Sequence, residues 1–191
     1  MKKLESTFLN MFLSLTIISL VAGAGLAAVF NLTEEPIAEA NIQKQQQAIA
    51  SVLPEGAQVA AEVEVINNNN VYRATDKQGN PCMAIEVNTN GFGGNIKMMV
   101  GFDAEGALVD YSILEMAETP GLGSKMSTWF RERGDVRGAK VADGEVSVSK
   151  DGGKYDAITA ATISSRAFMA GVNNAMETYK LANQTTEEVQ L

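Results

Sequence analysis

The longest pattern in the chain lies at its start, where 23 consecutive uncharged residues run from Phe8 to Phe30, with Asn10, Ser14, Thr16 and Ser19 as the polar interruptions. At about 1.5 Å per residue, a helix of this length reaches roughly 34 Å, enough to cross a hydrocarbon core of ~30 Å. Residues 1–30 therefore read as a transmembrane segment. The small residues Ala22-Gly23-Ala24 and Ala27-Ala28 leave a cleavable secretory signal open beside a retained anchor, although the run exceeds the usual apolar length of a signal. Lys2 and Lys3 precede the span and acidic residues follow it. The positive-inside rule then keeps the amino terminus in the cytoplasm and puts the remainder on the periplasmic, extracytoplasmic side of a single-pass cytoplasmic-membrane protein.

Beyond the span the period changes twice. Thr33-Glu34-Glu35-Pro36 has the form of a helix entry, with a hydroxyl cap, early acids and proline in the first turn, and predicts a polar helix to about Val52, stopped at Pro54-Glu55-Gly56. Residues 31–58 are thus expected to be a linker helix. From Val59 the pattern becomes two-residue: Val59, Ala61, Val63 and Val65 alternate with other residues, Asn67 to Asn70 turn the chain, and Val71–Thr75 and Cys82–Val87 follow as strands. Gly91-Phe92-Gly93-Gly94 interrupts the sheet; Ile96 to Phe102 and Ala107 to Met116 then form a hairpin about Asp103-Ala104-Glu105-Gly106. Glu118-Thr119-Pro120-Gly121-Leu122-Gly123 is a rigid turn ahead of a short amphipathic helix carrying Trp129 and Phe130. Arg131-Glu132-Arg133 reads as a solvated face, and Val136–Val141 and Val146–Ser149 as short strand-like pieces.

The carboxyl-terminal third contains the most suggestive stretch. Asp156-Ala157-Ile158-Thr159-Ala160-Ala161-Thr162-Ile163 is a run rich in small and hydroxyl residues, directly ahead of an apolar set at helical spacing: Phe168, Val172, Ala175, Met176 and Tyr179. The free N–H groups of a helix start would face Thr159 and Thr162, which is an arrangement suited to phosphate. The helix is expected to reach about Leu181, with residues 183–191 as a polar tail. Residues 59–182 then form one α+β domain, an antiparallel sheet with helices packed on one side.

Charge and composition remove several chemistries. Past residue 30 the chain holds 13 of its 15 basic and 22 of its 23 acidic residues, which disfavours nucleic acid as a partner. There is no histidine, hence no imidazole base and no Ser-His-Asp or Cys-His pair. The single Cys82 supports neither an internal disulfide nor a thiolate metal site, and is expected to be packing. No metal site and no catalytic side chain are expected, so any redox chemistry belongs to a borrowed cofactor.

These motifs bear a resemblance. Asp156-x-x-Thr159-Ala160-Ala161-Thr162 resembles the flavinylation signature of the FMN-binding domain family, in which a flavin is attached through its phosphate to the final threonine or serine. Glu118-Thr119-Pro120-Gly121-Leu122-Gly123 and Gly91-Phe92-Gly93-Gly94 match two further family motifs. Their order, the single span and the short length are most similar to the G subunits of Rnf ion-translocating electron transport complexes. The C subunits of sodium-pumping NADH:quinone reductases share the motifs but are longer. The resemblance implies covalent FMN in phosphoester linkage to Thr162. It implies Asp156 as the acid required by a magnesium-dependent flavin transferase that uses FAD, and other membrane subunits of the complex as partners. It also implies flavin contacts from Thr159, Ala161, Ile163, Glu118, Thr119, Gly121, Leu122, Gly123, Gly93 and Gly94. The chain would then be the electron-transfer subunit of a ferredoxin:NAD oxidoreductase that moves ions, with a stand-alone extracytoplasmic flavoprotein reductase or a non-redox tethered binding module as alternatives. The family usually has glycine where this chain has Ala160; a positive φ there would cost alanine about 1 kcal/mol.

Overall fold

A computed structural model describes residues 7–189. Lys2 and Lys3, on which the expected orientation rests, lie outside the described residues, as do Gln190 and Leu191 of the expected tail. The chain divides into two units, residues 1–43 and residues 44–191.

In the first unit the apolar run is helical as expected, but it does not stop near residue 30. Helix α1 (Phe8–Val52) is continuous over 45 residues and includes Pro36. The expected helix entry at Thr33 is therefore corrected. Because the preceding residues are already helical, no free N–H groups remain there to cap. The Thr33 hydroxyl instead donates back to the carbonyls of Val29 (2.9 Å) and Phe30 (3.2 Å). The amino-terminal part of α1 is long and apolar enough to cross a membrane, with none of that stretch buried.

The second unit is built on a five-stranded antiparallel meander in the order β1-β2-β3-β4-β5. The strands are β1 (Gln58–Ile66), β2 (Asn69–Thr75), β3 (Pro81–Asn90), β4 (Asn95–Phe102) and β5 (Leu108–Met116). Asn67 and Asn68, with φ of 51° and 64°, make the two-residue turn between β1 and β2. Two consecutive positive φ values give the turn whose twist matches that of the flanking strands, and asparagine tolerates them.

Helices cover both faces of this sheet, not one as expected. On one face lies α3 (Thr162–Val189), which buries the apolar set foreseen from its spacing, Phe168, Val172, Ala175, Met176 and Tyr179. Phe168 stacks on Phe130 of the short helix α2 (Met126–Glu132) with centroids 4.2 Å apart, and meets Tyr111 edge-on at 4.7 Å. On the other face the last turns of α1 bury Ala48, Ile49 and Val52 against Tyr72, Ala74, Cys82, Ala84, Met99 and Leu114. This double cover explains why β3 is buried without alternation from Cys82 to Val87. The second unit accordingly begins at Lys44 and takes in the end of α1. Polar contacts reinforce the join, as Lys44 donates to the Leu114 carbonyl, and Gln45 donates to the Glu86 carboxylate (2.7 Å) and the Tyr72 hydroxyl (2.8 Å).

Four further expectations are corrected. The apolar side chains of β1 are not core; Val59, Val63 and Val65 are exposed, because β1 is an edge strand that neither α1 nor α3 covers fully. Val136–Val141 and Val146–Ser149 are not strands but loop and single 3-10 turns at Val141–Asp143 and Ser149–Asp151, joined to the rest by isolated bridges Ala107–Lys140 and Val148–Tyr155. Their valines serve as plugs for the α3 side of the core. The polar segment expected as a tail continues α3 to Val189, since it holds neither glycine nor proline to stop a helix. Nor is the Arg-Glu-Arg segment wholly solvated: Arg131 pairs with Asp110 (2.7 Å), donates to the Tyr111 carbonyl and lies 4.4 Å over the Tyr111 ring. Cys82 is buried as expected, and desolvation pushes its thiol pKa up.

The join between α1 and the sheet has a point with no spare room. A Cβ on Gly101 would collide with the carbonyl of Val52. Gly101→Ala is expected to lower stability by about 2 kcal/mol, read as a fall in the thermal midpoint of the detergent-solubilised protein. An unchanged midpoint would mean that α1 does not rest on β4.

Candidate functional site

Register brings the three sequence motifs to one end of the sheet. Asn90 pairs with Asn95 across the turn formed by residues 91–94, and Ile96 pairs with Met116, so the exit of β5 emerges beside that turn. Glu118 follows two residues later and is buried. One oxygen of its carboxylate accepts the backbone N–H groups of Phe92 (2.7 Å) and Gly93 (3.2 Å); the other accepts the hydroxyl of Ser164 on the first turn of α3 (2.7 Å). Charge-assisted bonds of this kind are the strong ones, and here three of them converge on one side chain. The approach is tight: a Cβ on Gly123 would sit against both the Ser164 hydroxyl and Glu118.

Between the three segments lies a depression of about 330 Å³, lined by Phe92, Glu118, Thr119, Leu122, Gly123 and residues 160–164. Three apolar side chains stand on its surface, Phe92 at 66%, Leu122 at 40% and Ile163 at 53% exposure. The turn carrying Leu122 is held by its own bonds, with the N–H groups of Leu122 and Ser124 on the Thr119 carbonyl (3.2 and 3.3 Å) and that of Gly121 on the Ser124 hydroxyl (2.9 Å).

Thr162 is the first residue of α3, and the first i to i−4 bond of the helix is made by the Ser165 N–H to the Ala161 carbonyl (3.0 Å). The N–H groups of Thr162, Ile163 and Ser164 thus have no partner within the helix and provide an anion-favouring end beside the Thr162 hydroxyl. Before it, the Ala161 N–H closes a turn on the Ile158 carbonyl (3.0 Å), and Ala160 takes φ of 61°. The position therefore does require the left-handed conformation that alanine adopts at a cost.

Of the residues named from sequence, Thr162, Ala161, Ile163, Glu118, Thr119, Leu122 and Gly123 line the depression, and Gly93 borders it through its N–H bond to Glu118. Gly94, Gly121, Thr159 and Asp156 do not line it. Gly121 and Gly94 shape turns through positive φ, 75° and 149°. The carbonyl of Asp156 accepts the indole N–H of Trp129 (2.8 Å), which fixes the chain ahead of the motif. Sequence reasoning misses three residues. Ser164 is one small residue among many there, Phe92 is a spacer between glycines, and Lys150 is part of a turn. The Lys150 ammonium donates to the Thr162 hydroxyl (2.9 Å) from a loop twelve residues earlier.

Comparison with known proteins agrees with this geometry. Residues 91–177, from the first glycine motif well into α3, match the FMN-binding domain. The G subunit of an ion-translocating oxidoreductase complex of Methanosarcina acetivorans is 30% identical over 176 residues, 88% of this chain and 92% of that one. The G subunit of the Na(+)-translocating ferredoxin:NAD(+) oxidoreductase complex of Acetobacterium woodii is 30% identical over 88% of this chain and 89% of that one. Among solved structures, the C subunit of the Na(+)-translocating NADH-quinone reductase of Parabacteroides distasonis is 22% identical, with a TM-score of 0.47 over 58% of this chain and 60% of that one. Fold and site define a flavoprotein component of a larger complex: an FMN-binding domain behind a helix that is long and apolar enough to cross a membrane. The chain belongs to the family of G subunits of ion-translocating oxidoreductase complexes.

Two outcomes test the construction of the site. Glu118→Ala leaves two part-buried N–H groups and the buried Ser164 hydroxyl without their acceptor and is expected to cost about 2–3 kcal/mol, whereas Glu118→Gln, which can still accept from the N–H pair, is expected to cost about 1 kcal/mol. Urea titration followed by circular dichroism separates them, and equal losses would deny the carboxylate its role. Ala160→Gly is expected to raise stability by about 0.5–1 kcal/mol, the left-handed penalty less the added chain entropy of glycine. A lower denaturation midpoint in that variant would contradict a strained alanine.

Proposed function

We propose that this protein carries FMN in phosphoester linkage to Thr162 and passes electrons within an ion-translocating ferredoxin:NAD oxidoreductase of the Rnf kind. The observation that carries the reading is the placement of Thr162. It opens α3, faces the depression shared by all three motifs, and has free helix N–H groups and a lysine ammonium around its hydroxyl.

The residues present fit the group. A phosphodiester at Thr162 would meet the N–H groups of Thr162, Ile163 and Ser164 and the positive end of the helix, a favourable place for negative charge. Phe92, Leu122 and Ile163 offer apolar faces to a flat ring, and the Thr119 hydroxyl with the Gly123 backbone offers hydrogen bonds to its edge, on a turn that Gly121 shapes. Ala161 lines the depression, Gly93 and Gly94 belong to the turn that Glu118 binds, and Thr159 and Asp156 precede Thr162 in the segment that a flavin transferase using FAD would recognise. The bound flavin supplies the one- and two-electron chemistry that no side chain here provides. The protein's own part is to hold and orient it. A covalent link keeps the cofactor where no free pool could refill a reversible site by mass action. That condition follows from the proposed topology, with residues 1–30 as the retained anchor, the amino terminus in the cytoplasm and the domain on the periplasmic side of the cytoplasmic membrane.

The test is the intact mass of the full-length protein produced together with a flavin transferase. An increase equal to FMN minus water is expected, mapping to the peptide containing Thr162, with yellow colour that survives denaturation. Thr162→Ala is expected to lose both. Retention of the added mass by that variant would move the attachment elsewhere, with Thr159 the nearest hydroxyl of the motif.

A further inference from the structure

The contact between Lys150 and Thr162 is electrostatically odd as it stands. An ammonium at the first turn of a helix faces the positive end of the helix dipole, where a cation is disfavoured, and the first turn of α3 holds no acidic residue to offset it. The carboxylate of the adjacent Asp151 is taken up by Arg166, which it binds through both oxygens (2.6 and 2.7 Å). Arg166, the largest cause, holds the Asp151 pKa below the usual carboxylate range, with a smaller contribution from Lys150. Among the described residues, the partner of the Lys150 ammonium is a hydroxyl and no carboxylate salt-bridges it.

The placement is nevertheless held firmly. Lys150 lies on the 3-10 turn Ser149–Asp151, closed by the Ser149 N–H on the Tyr155 carbonyl (2.7 Å), the Asp151 N–H on the Val148 carbonyl (2.9 Å) and the Gly153 N–H on the same carbonyl (3.1 Å). Val148 and Tyr155 anchor the two ends of this loop in the core. Arg166 lies one turn beyond Thr162 on α3, so its pair with Asp151 straps the loop to the helix start that Lys150 faces. The Lys150 ammonium thus sits on the Thr162 hydroxyl at a helix end whose N–H groups have no partner within the helix, while the Asp151 carboxylate beside it is already paired with Arg166. An anion on Thr162 would balance this charge.

We propose that Lys150 is the positioning residue for the phosphoryl group on Thr162, orienting the hydroxyl before attachment and pairing with the phosphodiester afterwards. The inference rests on the reading of Thr162 as the attachment site. In the attachment step the Thr162 oxygen attacks the flavin-side phosphorus of FAD. An oxygen–phosphorus bond forms, the pyrophosphate bond breaks, AMP departs and the hydroxyl proton passes to a base of the transferase or to water; nothing is oxidised or reduced. A hydroxyl oxygen has two lone pairs, so one can accept from Lys150 while the other attacks. In the product, the ammonium serves as a point charge on the phosphate and fixes the base of the flavin's tether.

The experiment compares wild-type full-length protein with Lys150→Gln and Lys150→Arg. Attachment is timed by intact mass with purified transferase and FAD, and the fully loaded proteins are then compared by flavin fluorescence anisotropy and visible circular dichroism. Lys150→Gln is expected to load about tenfold more slowly, the effect of losing one charge-assisted hydrogen bond, and to hold its flavin with lower anisotropy and an altered visible spectrum. Lys150→Arg is expected to restore most of both. Lys150→Gln loading at the wild-type rate with an unchanged flavin signal would overturn the proposal while the assignment of Thr162 stood. Slow loading followed by an unchanged flavin signal would overturn it as well, giving Lys150 to recognition by the transferase. Absence of flavin from the Thr162 peptide of the wild type would remove the assignment of Thr162, and this inference with it.

Discussion

The site depends on one buried carboxylate. Glu118 gathers two backbone N–H groups from the β3–β4 turn and a hydroxyl from the start of α3, segments separated by 26 and 46 residues from it. A buried charge without partners is costly, and one with three well-placed donors is held in place by the same physics. The interaction is therefore both demanding and directional. It asks for glycine at position 123 to let the chain approach, it uses the short hydroxyl of Ser164 on the side of α3 turned inward, and it leaves Thr162, two residues earlier, facing the depression.

What allows a single side chain to do this is the regularity beneath it. The meander sets the β3–β4 turn and the exit of β5 side by side through hairpin register alone, and helices on both faces keep that end of the sheet from shifting. The long apolar stripe of α3 fixes its axial position through Phe168 and Tyr179, which pack on aromatic rings from α2, β4 and β5. The irregularity is confined to the few residues before α3. Ala160 in the left-handed region is the visible strain, and such strain persists only where the surroundings over-determine the backbone. Here the surroundings are Ile158, buried on one side, and the Glu118–Ser164 bond on the other.

Much of this is legible in the sequence because it is written locally. The hairpins show themselves through alternation and through turn residues such as Asn67-Asn68, and α3 through its apolar spacing. Most of the residues named for the site line one depression, since the motifs themselves are short and contiguous. The misreadings share another origin. Val59, Val63 and Val65 have the pattern of a half-buried strand, but burial is decided by which helix lies opposite, and β1 has little there. The valines of residues 136–148 are apolar because they fill gaps under α3, which alternation cannot distinguish from a strand. Thr33-Glu34-Glu35-Pro36 has the composition of a helix start, yet whether a cap is needed depends on the state of the residues before it. Lys150 and Ser164 are invisible for the same reason, because their roles exist only once loop, turn and helix have met.

The exposure of the apolar side chains bears on what the site is for. A pocket that selects and transforms a small molecule encloses most of it and places a few titratable groups within reach. Here the apolar contributors Phe92, Leu122 and Ile163 remain between 40% and 66% exposed, and the chain has no histidine. The buried acid of the depression, Glu118, is spent on structure. Such an arrangement holds a group by one end and part of one face while leaving the remainder accessible to another protein. That is a poor design for substrate selection and a suitable one for the tethered redox group proposed above, which a donor and an acceptor would approach in turn, with affinity supplied by the tether and not by enclosure.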